Sequence, residues 1–213
     1  MPLLLSTAML LLAAQEREPV GEGPEPSPTP ISWEIEFRYL PPRRIQSQGA
    51  GGLQTYWYVV YTAVNRSSTT QRFFPICQLV TEDLAVIDTD SGISPLVFDA
   101  IRERHRGTHK YLTHPTKAIG PLRVGEGNAR ESVAIWRDVD LKGATFKIYV
   151  AGLSGEAQLV ENPRFDATKS ESESNPRYFT LRKTLELTYR FPASEATRPL
   201  VEPDLLGSRW VMR

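Results

Sequence analysis

The sequence predicts an all-β, immunoglobulin-like β-sandwich with one short inserted helix at about residues 95–106. Three observations predict it. Short apolar runs with strand alternation recur along the chain between clusters of Gly, Pro, Asn, Asp and Ser, the pattern of a sandwich or barrel. One run, "TYWYVVYTAVN", is apolar on both faces, as a strand covered on both sides must be. A single segment, "SPLVFDAIRERHRG", carries helix signals instead. A jelly roll is the second arrangement that fits the same pattern.

The chain opens with "MPLLLSTAMLLLAAQEREP". The uncharged apolar run from Pro2 to Ala14 is shorter than the roughly 20 residues that span a bilayer, and it ends in small residues. It reads as a signal peptide over 1–14, cleaved after Ala14, although no Lys or Arg precedes it. Residues 15–30, "QEREPVGEGPEPSPTP", are rich in Glu, Pro and Gly and read as a linker. The remainder, 31–213, reads as one domain. An extracytoplasmic location, periplasmic or secreted, follows, with no transmembrane segment beyond the signal peptide.

"ISWEIEFRYL" alternates strictly, with Ile31, Trp33, Ile35, Phe37 and Tyr39 on one face, and the Pro41-Pro42 pair ends the strand. "TYWYVVYTAVN" follows the "GAGG" loop as the central strand, and "RFFPICQLV" reads as its antiparallel partner. "LAVID" is a further short strand. In the second half, "RESVAIWRDV" and "ATFKIYVAGL" alternate on either side of a turn at Gly143, and "AQLVEN" reads as an edge strand. "DATKSESESNP" is polar and reads as an exposed, mobile loop. "RYFTLRKTLELTYRF" is the clearest strand: Phe179, Leu181, Leu185, Leu187, Tyr189 and Phe191 share a parity that only Lys183 interrupts. "GSRWVMR" reads as the last short strand.

All three histidines, His105, His109 and His114, lie in "IRERHRGTHKYLTH". Ser94 as cap, Pro95 at the first helical position and the apolar stripe of Val97, Phe98 and Ile101 start a helix there. Basic residues in the last turn suit the helix dipole, and Gly107 fits a left-handed stop. On that reading His105 and His109 do not share a face, and "HRGTH" has Arg106 where a zincin has its glutamate. No metal ligand, catalytic residue or cofactor-binding residue is therefore assigned; a dipole-matched helix end is expected, with a partner- or anion-binding patch as the remaining use.

The other motifs are weak. Cys77, the only cysteine, sits in an apolar run and reads as a buried small hydrophobe. "GLSGE" lacks the second glycine of a nucleophile elbow, "DTDSG" with Asp88, Asp90 and Asp99 lacks the calcium-loop glycine, and "VGEGN" lacks a phosphate-loop lysine. Glu82-Asp83 is a pair of carboxylates at a strand end, and Asn65-Arg66-Ser67 is a formal glycosylation sequon. Tyr56, Trp57, Tyr58 and Tyr61 are core aromatics in preference to a sugar platform. With 25 basic and 25 acidic residues, the chain lacks the positive charge that drives nucleic-acid binding.

Taken together, "YWYVVYTAVNRSS", "FFPICQLVTEDLAVID", "ARESVAIW", "IYVAGLSGE" and "NPRYFTLRKTLEL" resemble a group of exported β-sandwich proteins of planctomycete-type bacteria with no assigned activity. The resemblance covers roughly residues 31–213 and implies a shared fold and an extracytoplasmic address; it implies no functional residues. The expected function is a non-catalytic binding or structural role in the cell envelope, toward a protein or another envelope component. The alternatives are a carbohydrate- or divalent-metal-binding module, or a hydrolase using carboxylates that leave no sequence signature.

Overall fold

The computed structural model describes residues 23–49, 52–89, 92–137, 144–191 and 201–213. Pro41 and Pro42 divide one sheet edge into two strands. β1 (Ile35–Tyr39) precedes them and β2 (Arg43–Gly49) follows, and both pair antiparallel with the long β3 (Gly52–Asn65). The registers Tyr39↔Tyr61 and Arg43↔Tyr58 set them end to end along the same edge of β3. Proline has no N–H for a ladder, so the break falls where the pair stands. The Leu40 N–H still reaches the Val60 carbonyl at 2.9 Å. The prolines interrupt this edge where the sequence reading ended it, and the β2–β3 pairing runs on to Gly49↔Gly52.

Beyond β3 come β4 (Gln71–Phe73), β5 (Ile76–Thr81) and β6 (Val86–Asp88), with Pro75 separating the first two. α1 (Pro95–His105) and the one-turn α2 (Pro115–Ala118) follow, then β7 (Gly120–Leu122) and β8 (Arg130–Arg137). β8 pairs with the other edge of β3 and completes the first sheet, while β4 and β7 form a small ribbon. The second sheet contains β9 (Thr145–Ala151), β10 (Ala157–Glu161), β11 (Tyr178–Arg190) and β12 (Asp204–Met212). β5 belongs here: it pairs with β9 and β6, so the expectation that "RFFPICQLV" partners the central strand is corrected. β9 and β10 lie end to end along one edge of β11, and β12 takes the other. Each sheet is thus built on one long strand flanked by two collinear short ones. The expected turn at Gly143 lies outside the described residues.

The fold class is the predicted one, an all-β sandwich with an inserted helix. Odd-numbered β3 residues Trp57, Val59, Tyr61 and Ala63 face Phe146, Ile148, Val150, Leu187 and Tyr189 of the second sheet. Even-numbered Tyr56, Tyr58 and Val60 face the other way, against Val97, Phe98 and Ile101 of α1. This is why the run is apolar on both faces: one covers the sandwich core and the other is roofed by the helix. Burying side chains of this size contributes about 2–3 kcal/mol each, so the helix layer is a second core in its own right. No helix among the described residues is long and apolar enough to cross a membrane.

The two sheets are joined at a corner where β1 begins. Ile35 N–H donates to the Leu153 carbonyl at 2.7 Å, Gly155 N–H donates to Trp33 at 3.1 Å, and Glu34 bridges Ser154. Gly152 makes this corner possible. Its φ of +81° is a left-handed conformation, and a Cβ there would lie 2.1 Å from the Phe74 carbonyl oxygen.

Candidate binding groove

α1 is capped as the sequence predicts, Ser94 Oγ accepting from Leu96 N–H with Pro95 at its start. Its end differs. Gly107 is not among the glycines with positive φ, and the chain keeps turning, so that His109 N–H reaches the His105 carbonyl at 2.8 Å. His105 and His109 therefore do come together, their rings 5.7 Å apart, which corrects the separation inferred from a left-handed Gly107. His114 stands apart from them, packing edge-on against Phe98 and accepting from Thr116 N–H as the cap of α2. No group of three or more His, Cys, Asp or Glu among the described residues is arranged to hold a metal ion.

His105 is buried, with its Nε2 3.1 Å from the Tyr58 hydroxyl. That hydroxyl already accepts from Arg104 Nη1 at 3.3 Å, so its own proton goes to a neutral imidazole. Burial, reinforced by His109, Arg43 and Arg104, holds the His105 pKa below the usual histidine value. The basic end of α1 is thus a structural joint with the first sheet.

The other motifs have structural occupations. Ser154 of "GLSGE" accepts from Glu156 N–H and lies at the sheet corner, away from any strand-to-helix turn. Glu126 of "VGEGN" pairs with Arg38 and Arg66. Asp88 accepts from Gln78, Asp99 pairs with Arg102, and Asp90 is outside the described residues. Asp83 accepts from the Thr81 hydroxyl and Glu82 from Thr145 N–H. Cys77 is in the core. Asn65 of the sequon is fully buried, its amide donating to the Thr69 and Leu122 carbonyls at 2.8 Å, so the folded chain does not present it for glycosylation. The loop at 166–176 is exposed but organised, because the buried Asn175 amide donates to the Asp166 and Ser170 carbonyls. Tyr56, Trp57, Tyr58 and Tyr61 are buried, as core aromatics should be.

What the sequence reading did not assemble is a groove along the seam between the sheets. β1 on the first sheet and β12 on the second enclose a cleft of about 510 Å³. Its walls are Phe37, Tyr39 and Trp210, with Ser208, Glu36 and Arg66 supplying polar groups. Phe37 is seated against Tyr61 at 4.9 Å and Tyr39 at 6.0 Å, and Tyr39 and Ser208 line the cleft from the two sides of the seam. At the rim, Arg66 donates to Glu36 at 2.7 Å and Glu126 at 2.5 Å, and Arg38 lies 2.8 Å from Glu36. The Arg66 hydrogen bond leads in holding the Glu36 carboxyl below its ordinary value, and burial opposes it.

Glu34 and Trp210 of this lining also belong to a buried ion cluster beside the groove. Lys183, 3 % exposed, places its Nζ 2.7 Å from Glu34 and 3.1 Å from Glu156, beneath the Trp210 ring at 5.3 Å. Ser27 N–H donates to Glu156 at 2.7 Å, so the domain's contacts begin before Ile31. Burial pulls the Lys183 amine down, but the bonds to Glu34 and Glu156 prevail and hold its pKa up. On the outer face of the second sheet, the buried Glu186 accepts from Arg209 at 2.8 Å, Tyr149 at 2.7 Å and Lys147 at 3.1 Å.

The aromatic walls of the groove come from opposite ends of the chain, Phe37 and Tyr39 from "ISWEIEFRYL" and Trp210 from "GSRWVMR". Alternation in each segment marks a strand face, and only the strand order tells that the two faces meet. A scan against protein-family models matches no family, and searches of curated proteins and of solved structures return no similar protein.

Proposed function

We propose that this chain is an exported binding domain of the bacterial cell envelope whose ligand is a carbohydrate segment held in the β1–β12 groove. The observation that carries the reading is the groove itself: partly buried Phe37, Tyr39 and Trp210 beside Ser208, Glu36 and Arg66. Sugars present apolar C–H faces ringed by hydroxyls, and a cleft with aromatic planes and fixed donors and acceptors matches both. Trp210 is held from below by Lys183, and Arg66 by its carboxylates, so the walls are set before a ligand arrives.

The state of the carboxylates supports binding over hydrolysis. A glycosidase needs one carboxyl held protonated near neutral pH. Glu36 in the groove and Glu126 at its rim are both held below their ordinary values, led by their hydrogen bonds to Arg66 and Arg38. An extracytoplasmic address, expected from Pro2–Ala14, gives such a domain access to envelope polysaccharide.

The test is calorimetric titration with neutral β-linked oligosaccharides of glucose, xylose and N-acetylglucosamine. At least one binds, and Trp210→Ala weakens it about tenfold or more, since an aromatic platform with its buried area is worth about 1.5 kcal/mol. Absence of binding by the unsubstituted chain to every member, or unchanged binding by W210A, contradicts the reading.

A further inference from the structure

Along the same seam, a second cleft of about 410 Å³ lies beside the start of β2, where the chain leading into β12 passes. Arg43, Arg44, Arg104, Trp57 and Glu202 line it. We propose that this cleft is an oxyanion site, for a carboxylate or phosphate group, read by Arg43 and Arg104. It stands independently of the carbohydrate reading.

Arg104 is placed for this role by its neighbours. Its Nη1 donates to the Arg44 carbonyl at 2.8 Å and to the Tyr58 hydroxyl at 3.3 Å, so the guanidinium plane is fixed while no carboxylate among the described residues pairs with it. A planar, anchored guanidinium is suited to bidentate contact with a carboxylate or phosphate. Arg43 contributes the second cation, its Nε 2.6 Å from Glu202. Glu202 is the one acidic side chain among the residues lining the cleft, and it occupies the position an incoming oxyanion competes for.

Two further observations point the same way. Trp57 is 3 % exposed and lines the cleft, and its indole N–H has no hydrogen-bond partner among the described residues. A buried N–H of this kind favours an acceptor that the fold does not provide. Arg43 and Arg104 both contribute, after burial and His109, to keeping His105 uncharged, which marks the local field as positive. The Arg44 guanidinium lies over the Trp57 ring at 5.4 Å and forms the inner wall.

Calorimetric titration of the full chain with inorganic phosphate and, separately, with galacturonate tests the proposal. One or both bind, Arg104→Gln weakens binding about tenfold or more, and Glu202→Gln strengthens it by removing the internal competitor. The anion that binds identifies the group as phosphate or carboxylate. Because Arg104 also supports Tyr58, Arg43→Gln gives a second reading that leaves that joint intact, and it too weakens binding. Absence of binding by the unsubstituted chain to both anions at millimolar concentration, or binding by R104Q and R43Q as tight as that of the unsubstituted chain, overturns the proposal. Neither outcome bears on the neutral oligosaccharides, so the two sites fail or stand separately.

Discussion

The Tyr58 hydroxyl and His105 Nε2, 3.1 Å apart, tie the outer face of the first sheet to the last turn of α1. His105 is 4 % exposed, and its pKa is lowered, chiefly by burial. The folded chain therefore holds the imidazole neutral, whereas the unfolded chain protonates it at the ordinary value near 6.5. Stability is full above that value and is lost as the pH falls below it. Thermal unfolding followed from about pH 7.5 to about pH 5.5 should show a falling midpoint. His105→Gln, which keeps an acceptor for Tyr58, should flatten that part of the curve; an unchanged slope would count against a neutral buried His105.

Glu186 should behave in the opposite pH range. Burial alone would raise its carboxyl, but Arg209, Tyr149 and Lys147 together hold it down to about 2. A carboxylate with a depressed folded pKa stabilises above its unfolded value and ceases to do so as the pH falls through the folded one. Glu186→Gln should cost about 2 kcal/mol at pH 7, a moderate figure because Arg209 is largely exposed. The difference in denaturant midpoint from the unsubstituted chain should narrow as the pH is lowered from about 5 towards about 2.

Lys183→Met should lower the unfolding midpoint, because Glu34 and Glu156 would be left in a buried site without their shared cation. The same change removes an anchor of the N-terminal segment, whose Ser27 carbonyl accepts from the Lys183 amine at 3.3 Å. Limited proteolysis should then cut within residues 23–33 earlier than in the unsubstituted chain. Adding Glu156→Gln should restore part of the midpoint, since the penalty comes from the uncompensated carboxylates.

Lys183 also shows how much was legible in the sequence. It was the one residue breaking the parity of "RYFTLRKTLELTYRF", and the interruption is real: the lysine shares the inward face with Leu185, Leu187 and Tyr189. A strand pattern reveals such a residue but not its counter-ions, which come from β10's lead-in and the segment before β1. The two-faced β3 and the Ser94-Pro95 helix start were readable because local chemistry alone decides them. β2 was not, because "RRIQSQG" carries a single large apolar residue, Ile45, and pairs through its backbone. The end of α1 misled for a related reason, since Gly107 permits a left-handed stop without requiring one. The groove depends on the order of strands, which periodicity does not encode.

Gly152 is required where Gly107 is merely tolerated. Gly152→Ala places a Cβ against the Phe74 carbonyl in a left-handed conformation and should cost at least about 2 kcal/mol. Gly107→Ala, with nothing near its Cβ, should leave the denaturant midpoint within about 0.5 kcal/mol of the original. Equal effects of the two substitutions would contradict the corner geometry.

The central claim, that ligand enters between β1 and β12, is tested most directly by the indole N–H signals of the four tryptophans in a proton–nitrogen correlation spectrum. Trp57 and Trp136 are core residues of the sandwich, and Trp210 is partly buried in the groove. With the signals assigned by single Trp→Phe substitutions, titration with the tightest-binding neutral oligosaccharide should move the Trp210 signal while those of Trp57 and Trp136 stay in place. Movement of the Trp57 or Trp136 signals with Trp210 unmoved, or no movement at all, would contradict it.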